Sequence, residues 1–396
     1  MNGRRAICVV GMHRSGTSLA TRLLNLLGVW LGPAEHLVAP GRDNPAGFWE
    51  HRLLKQLDDE LLRAFGGSWS APPALAPGWE LDPRLAALEA RGRGILERDF
   101  GGAPLWGWKD PRACLTLAFW QRLVPDARYL VCWRRPHEVA LSLERRDRLT
   151  LERGLHLWCR YAASALESTG GRERAFVSYD ELMEGSDAGL NQLCAIAGRH
   201  DLVEDAEARR RLLGCVRPEL RHHRSRAEAP AGVYGAALRL AGEAYDLLRD
   251  GSESALGLLH EATALLEPVV AAQRRAEEAR WEDEVREAAG ELSRLVPEPG
   301  KLVLVDQDEW AGAAGGAVPF VERDGCYWGP PADDESAVRE LERLRSEGAE
   351  FIAFGWPAFW WLEHYGGLAR HLSAHSELVL SNRRLVVYRL EERGAR

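Results

Sequence analysis

AICVVGMHRSGTS, residues 6 to 18, reads as a buried strand, a glycine turn and the start of a helix. Ala6-Ile7-Cys8-Val9-Val10 is a short continuous apolar run, the pattern of a strand covered on both faces. Beyond the turn, Leu19, Leu23, Leu24, Leu26 and Leu27 recur at helical spacing, with Gly28 placed to end the helix. In this geometry backbone N–H groups and the helix dipole converge on one point, which suits an anion. Gly11 lets the chain leave the strand sharply, and Gly16 lets backbone approach an anion closely. Ser15, Thr17 and Ser18 add hydroxyls, and Arg14 adds a planar cationic fork. The spacing predicts a phosphate cradle; the competing reading is a structural βα corner without a ligand.

The cradle departs from GxxxxGK[ST], in which the lysine reaches terminal phosphates and the next hydroxyl holds magnesium. Here Thr17 stands at the lysine position and the cation has moved to Arg14. The third apolar strand ends Val131-Cys132-Trp133-Arg134, without the aspartate that a magnesium-dependent loop needs.

Outward from the turn, residues 31–51 are rich in Pro, Gly and polar groups and read as a long irregular connection, the kind kept for function. Helical spacing returns over 52–65 and 83–100. Strands near 105–109 and 128–133, helices over 115–124 and from His137, and a strand at 175–179 give βαβα alternation, a parallel sheet with flanking helices. Residues 200–295 are almost all helix formers. A small α/β unit follows Pro297-Glu298-Pro299-Gly300, with Asp333 or Asp334 as the cap of a helix. The expected division is 1–230, a helical extension 231–296, and 297–396. Trp310, Trp328, Trp356, Trp360 and Trp361 in the last unit suit either sugar stacking or aromatic core packing.

Three segments fit the cradle. Lys109 in WGWKDPR ends a strand where ligands of open parallel sheets bind. Arg134 is followed eight residues later by Ser142, with Arg146 one helical turn beyond, a set suited to a second phosphate. Tyr179 is placed to stack on, or hydrogen-bond to, a base.

With these motifs in order, residues 5–225 resemble the sulfotransferase family, enzymes that use 3′-phosphoadenosine 5′-phosphosulfate (PAPS). RSGTS resembles their 5′-phosphosulfate loop, RRPHEVALS their 3′-phosphate motif, and KDP a motif of the tyrosylprotein branch. The resemblance implies a P-loop-like fold, with Arg14, Ser15, Gly16, Thr17 and Ser18 on the 5′-phosphosulfate. Arg134, Ser142 and Arg146 would take the 3′-phosphate, Tyr179 would lie along the nucleotide, and Lys109 beside the transferring group. It further implies transfer without a metal to a hydroxyl, on a glycan or other cell-surface precursor. A general base is required: Glu35 matches the spacing of the tyrosylprotein branch, and Glu50 in GFWEH is the alternative, with His36 and His51 as bystanders. The nucleotide-closing RKGxxGDW loop of the cytosolic branch is missing; LRHHRSR at 220–226 offers substitute cations or a solvated helix end. Two other functions fit less of the pattern: a small-molecule P-loop kinase, and a catalytically silent nucleotide- or glycan-binding adaptor.

The balance of the 396 residues is consistent with this. A net charge of −8 argues against a general nucleic-acid or membrane-surface binder, so an anion site must be local. Seven scattered cysteines without a CxxC pair read as reduced core thiols. With no leader before residue 6 and no apolar stretch of spanning length, the cytoplasm is expected.

Overall fold

The computed structural model describes residues 4–390 apart from 40, 42–43, 45–46, 204, 217–229, 250–253, 297–300, 308, 311 and 324–325. The basic stretch 220–226 and the Pro-Gly segment 297–300 therefore lie outside the described residues. Contacts group residues 1–271 into one compact unit and 272–396 into another.

The first unit opens with β1 (Arg5–Val10) and α1 (Thr17–Leu26). The described residues of 27–51 are irregular apart from a 3₁₀ turn at Ala34–His36. Then follow α2 (Arg52–Ala64), α3 (Ala86–Phe100), β2 (Leu105–Lys109), α4 (Ala113–Leu123), β3 (Arg128–Trp133), α5 (Pro136–Asp147) and α6 (Leu151–Thr169). β4 (Arg174–Ser178), α7 (Tyr179–Glu184), α8 (Asp187–Ala197), α9 (Ala206–Leu213) and α10 (Gly232–Arg249) complete its ordered elements, before α11 (Ala255–Leu295) begins.

The four strands form one parallel sheet in the order β2-β1-β3-β4. Alternate residues of β1 face two cores, as a doubly covered strand requires. Ile7 and Val9 join Leu23, Leu24 and Leu27 of the α1 region and Leu190 and Leu193 of α8. Ala6, Cys8 and Val10 join Trp106, Trp108, Trp120 and Trp158. Full burial of each leucine contributes about 1.5–3 kcal/mol, so three of them hold α1 on the sheet more firmly than its intrinsic propensity does.

Residues 232–249, within the segment expected as a helical extension or linker, form α10 and pack against α5, α6 and β4, with Ala237, Ala241, Tyr245 and Leu248 buried in the first core. The expectation of no apolar stretch of spanning length fails, because α11 contains an 18-residue window of sufficient length and apolarity. Its Ala255, Leu259, Ala262, Leu266 and Val270 recur on one face and are fully buried in that same core, the pattern of an amphipathic core helix. Cys8, Cys114, Cys132, Cys159 and Cys194 are buried, whereas Cys215 is half-buried and Cys326 exposed.

The second unit has a five-stranded mixed sheet. Its strands are β5 (Leu302–Val305), β6 (Val318–Pro319), β9 (Phe351–Gly355), β10 (Ser376–Ser381) and β11 (Leu385–Leu390), with β7 (Glu322–Arg323) and β8 (Cys326–Tyr327) as a separate ribbon. α12 (Asp334–Ser346) is capped by Asp333, whose carboxylate accepts from the Ser336 N–H at 2.7 Å. Two short helices follow β9, α13 (Trp360–His364) and α14 (Gly366–His375), separated by Tyr365. Trp310 and Trp361 are buried and Trp356 packs on Trp310, whereas Trp328 and Trp360 are exposed.

Candidate active site

All four strands of the first sheet run the same way, so their carboxyl ends open on one side. β1 lies between β2 and β3, and the crevice beyond such a reversal of strand order is where doubly wound sheets bind ligands. Register brings Lys109 opposite Val9, Val10 opposite Val131, and Trp133 opposite Ser178. Gly11, Lys109, Arg134 and Tyr179 thus follow one another around a single rim.

The turn has the backbone its composition calls for. Gly16 adopts φ +87° and no side chain caps α1, which leaves the N–H groups of the first turn without a side-chain acceptor. Arg14 also has positive φ, +70°, an uncommon conformation for a residue with a Cβ and a local strain of about 1–2 kcal/mol. The Ser15 hydroxyl is buried without a hydrogen-bond partner among the described residues. A buried hydroxyl beside an uncapped helix start fits a bound anion.

Arg14 is turned toward α5, where its Nε donates to the Ser142 hydroxyl at 2.9 Å. Arg134 donates through Nε to Glu138 at 2.9 Å and through Nη1 to the carbonyl of Arg14 at 3.4 Å. Its guanidinium also lies 4.3 Å from the centre of the Tyr179 ring. That ring packs on Gly16 so closely that a Cβ there would come within 2.7 Å of it. Arg14, Arg134, Ser142, Gly16 and Tyr179 are therefore one contiguous group, with Tyr179 underpinning the turn. Arg146 lies on the His13 side of the turn: its Nε donates to Asp147 at 2.7 Å and its guanidinium lies 5.7 Å from the ring of Trp69, which packs on His13.

Lys109 lies on the other side of the turn. Its ammonium donates to Glu50 at 2.6 Å and to the Ser18 hydroxyl at 3.4 Å, and lysine and glutamate are 3% and 6% exposed. The irregular segment delivers Glu50 by folding back on itself: Leu37 bridges His51, and the Val38 N–H donates to the Glu50 carbonyl at 2.8 Å. Thr17 is buried at the helix start. Glu35, in the 3₁₀ turn, is exposed.

Several residues here carry weight that the sequence reading did not assign. Asn44 donates to Ser18 at 3.3 Å. Glu138 is the buried counter-anion of Arg134, and the i,i+4 spacing in RRPHE was a signal for it. Arg112 donates to Asp59 at 2.6 Å and to Asp110 at 3.0 Å. His13 is buried beside Trp69 and Tyr161, and its titration is pushed well below the ordinary range by burial and by Arg112, Arg146, Lys109 and Arg14. It is the neutral member of a cationic rim.

Beneath Lys109 lie two buried carboxyls. Burial pushes Asp110 up to about 6, against the pull of Arg112, and also raises Asp58, with the Asp110 charge as its second cause. The folded chain thus holds the Asp110 proton more tightly than the unfolded chain, whose ordinary value is 3.8. For this group stability is greatest below about pH 4 and falls as pH rises to about 6. Asp110→Asn is expected to gain roughly 2 kcal/mol over the parent protein between pH 4 and pH 7, from a shift of about two units. Urea unfolding at the two pH values measures it; an equal difference at both refutes it.

A model of the "Sulfotransferase family" matches residues 6–202, about half the chain. The chain is similar to the crystal structure of sulfotransferase STF9 from Mycobacterium avium, with 15% identity over 64% of this chain and 78% of that one, at a TM-score of 0.36. It is also similar to the sulfotransferase domain of the Synechococcus PCC 7002 olefin synthase, with 16% identity over 62% and 96% of the two chains and a TM-score of 0.33. A third is the sulfotransferase domain from the curacin biosynthetic pathway, with 17% identity over 59% and 82% and a TM-score of 0.30. No curated protein matches. Through residues 6–202, which hold the glycine turn, the lysine and the arginine–serine pair, the chain belongs to the sulfotransferase family.

Proposed function

We propose that the first unit transfers a sulfuryl group from PAPS to an acceptor hydroxyl. The observation that carries this reading is the Arg14–Ser142 hydrogen bond, with Arg134 on the carbonyl of the same turn. A donor phosphorylated at both ends of an adenosine needs two anion-binding sets within one molecule's reach, and these two motifs adjoin.

In this reading the uncapped first turn of α1, with Ser15, Gly16, Thr17 and Ser18, holds the 5′-phosphosulfate. Arg134 and Ser142 hold the 3′-phosphate, and Arg14 lies between the two sets. Tyr179 supports the turn from beneath. Arg146, paired with Asp147, is a more distant member of the 3′ set.

Transfer is an in-line displacement. The acceptor oxygen forms a bond to sulfur, the bond from sulfur to the 5′-phosphate oxygen breaks, and adenosine 3′,5′-bisphosphate leaves. Charge grows on the bridging and peripheral oxygens, where Lys109 and the helix start stabilise it. Cations of the chain itself carry that charge, and no metal is invoked for the step. Glu50 takes the hydroxyl proton. Its 2.6 Å pairing with Lys109 favours it over the exposed Glu35, because base and cation must flank the same reacting atoms. The acceptor class is hydroxyl compounds, carbohydrates among them.

Adenosine 3′,5′-bisphosphate is expected to raise Tm and ATP–Mg²⁺ to leave it unchanged. Ser142→Ala is expected to weaken the bisphosphate about 10- to 100-fold, the loss of one hydrogen bond to a charged group, while leaving adenosine 5′-phosphosulfate unaffected. A preference for ATP–Mg²⁺ would replace this function with phosphoryl transfer. Labelled sulfate passing from PAPS to a panel of hydroxyl acceptors completes the test.

A further inference from the structure

The 3₁₀ turn at Ala34–His36, the start of α2 and the last turn of α3 bring three side chains together. His36 Nδ1 lies 2.8 Å and His51 Nε2 lies 3.0 Å from the same oxygen, Oδ2 of Asp99. One donor atom from each residue lies within 4.8 Å of the others. Arg98 makes a third approach to that oxygen, through Nη2 at 2.9 Å, and its Nε reaches Oδ1 at 2.7 Å.

Three nitrogens on one carboxylate oxygen exceed the roughly two lone-pair sites that it offers. The donor set is better satisfied by a cation shared between the ring nitrogens and the oxygen. Tetrahedral metal–nitrogen and metal–oxygen bonds of about 2.1 Å put their ends about 3.4 Å apart. The 2.8 and 3.0 Å separations are hydrogen-bond distances, and each need widen by only about half an ångström for an ion to enter between the same atoms.

We propose that His36, His51 and Asp99 form a binding site for a divalent transition metal of the Zn²⁺ class. Two imidazoles and one carboxylate select such an ion over Mg²⁺ or Ca²⁺, which prefer oxygen ligands. The side chains of Asp99 and His51 are almost fully buried, whereas His36 is 24% exposed and leaves a side open for water or another ligand. The Trp30 indole already holds the backbone at Asp99, donating to its carbonyl at 2.8 Å. Arg98 Nη2 must release Oδ2 when the ion binds, and that side chain is 54% exposed and free to swing outward.

The site lies outside the sulfuryl-transfer step. His36 and His51 are both on the irregular segment that carries Glu50, so the ion fastens this segment to α3 and sets the position of the residue next to His51. Its binding does not depend on the PAPS reading, and the measurement uses neither donor nor acceptor.

The experiment is calorimetric titration of Zn²⁺, and separately of Mg²⁺, into the chelator-treated full chain, with metal content and Tm read in parallel. One equivalent of Zn²⁺ is expected to bind, Mg²⁺ to give no binding, and Tm to rise by about 5–10 °C at a hundredfold excess over Kd. His36→Ala, at a part-exposed position, is expected to keep the wild-type circular dichroism and lose the Zn²⁺ equivalent; Asp99→Asn is expected to lose it as well. Arg98→Ala removes the competitor and is expected to bind Zn²⁺ as tightly or up to about fivefold tighter. The proposal is overturned if wild type takes up no stoichiometric Zn²⁺, if folded His36→Ala binds it unchanged, or if Arg98→Ala weakens it.

Discussion

Lys109→Ala is expected to lower kcat by roughly 10²–10³-fold, the scale for removing one preorganised donor from a developing charge. It is also expected to destabilise the chain by about 3–5 kcal/mol, because Glu50 would be left buried and without its cation. The two losses have separate origins, and the double variant Lys109→Ala/Glu50→Gln divides them. Removing the stranded carboxylate is expected to return much of the stability while leaving turnover at or below that of the single variant. Steady-state sulfate transfer and urea unfolding on the same preparations read both quantities. A Lys109→Ala enzyme within threefold of wild-type kcat would remove the lysine from the chemistry.

Gly11→Ala is expected to be among the severely damaging small substitutions in the first unit. A Cβ at this position would stand 2.2 Å from the carbonyl oxygen of Cys132 and 3.1 Å from its carbon, on a neighbouring strand of the same sheet. Backbone atoms of a central strand cannot rotate away, and φ of +148° is a conformation open chiefly to glycine. The cost is expected to exceed about 4 kcal/mol, the range reserved for severe overpacking or strain. Gly78→Ala is the matched control: its φ is +82° but a Cβ meets nothing within 4 Å, so only the left-handed cost of about 1–2 kcal/mol applies. If the two variants melt within 2 °C of each other, the close approach of Gly11 to β3 is wrong.

Much of this arrangement was legible in the residues. The strands at 105–109 and 128–133 have the limits that the apolar runs indicate, and the glycine turn lies between a buried strand and an amphipathic helix. Local spacing suffices there because each element declares its own period and its own breakers. The carboxylate facing Lys109 was not legible. Glu35 and Glu50 occupy the same polar segment, and only the Leu37–His51 bridge, a contact across fourteen residues, brings one of them inward. The direction of Arg14 was hidden for a similar reason, since its partner Ser142 is 128 positions away. Asp99 had no local signal, being one charge among several on a helix whose neighbours are set by tertiary packing. Residues 232–249 looked like an extension because helix formers say nothing about which core will receive them.

The order of the strands has an evolutionary consequence. The groups assigned to the donor stand at the ends of neighbouring strands within a single sheet, whereas the segment expected at the acceptor's edge is a detour of irregular chain between two helices. Among the described residues, that detour is tied to the sheet and the glycine turn by Trp30, which bridges Trp106 of β2, and by Asn44, Phe48 and Glu50, which reach Ser18 and Lys109. On the proposed function, a lineage can therefore explore new acceptors by redrawing the rest of one loop while the groups at the strand ends stay inherited.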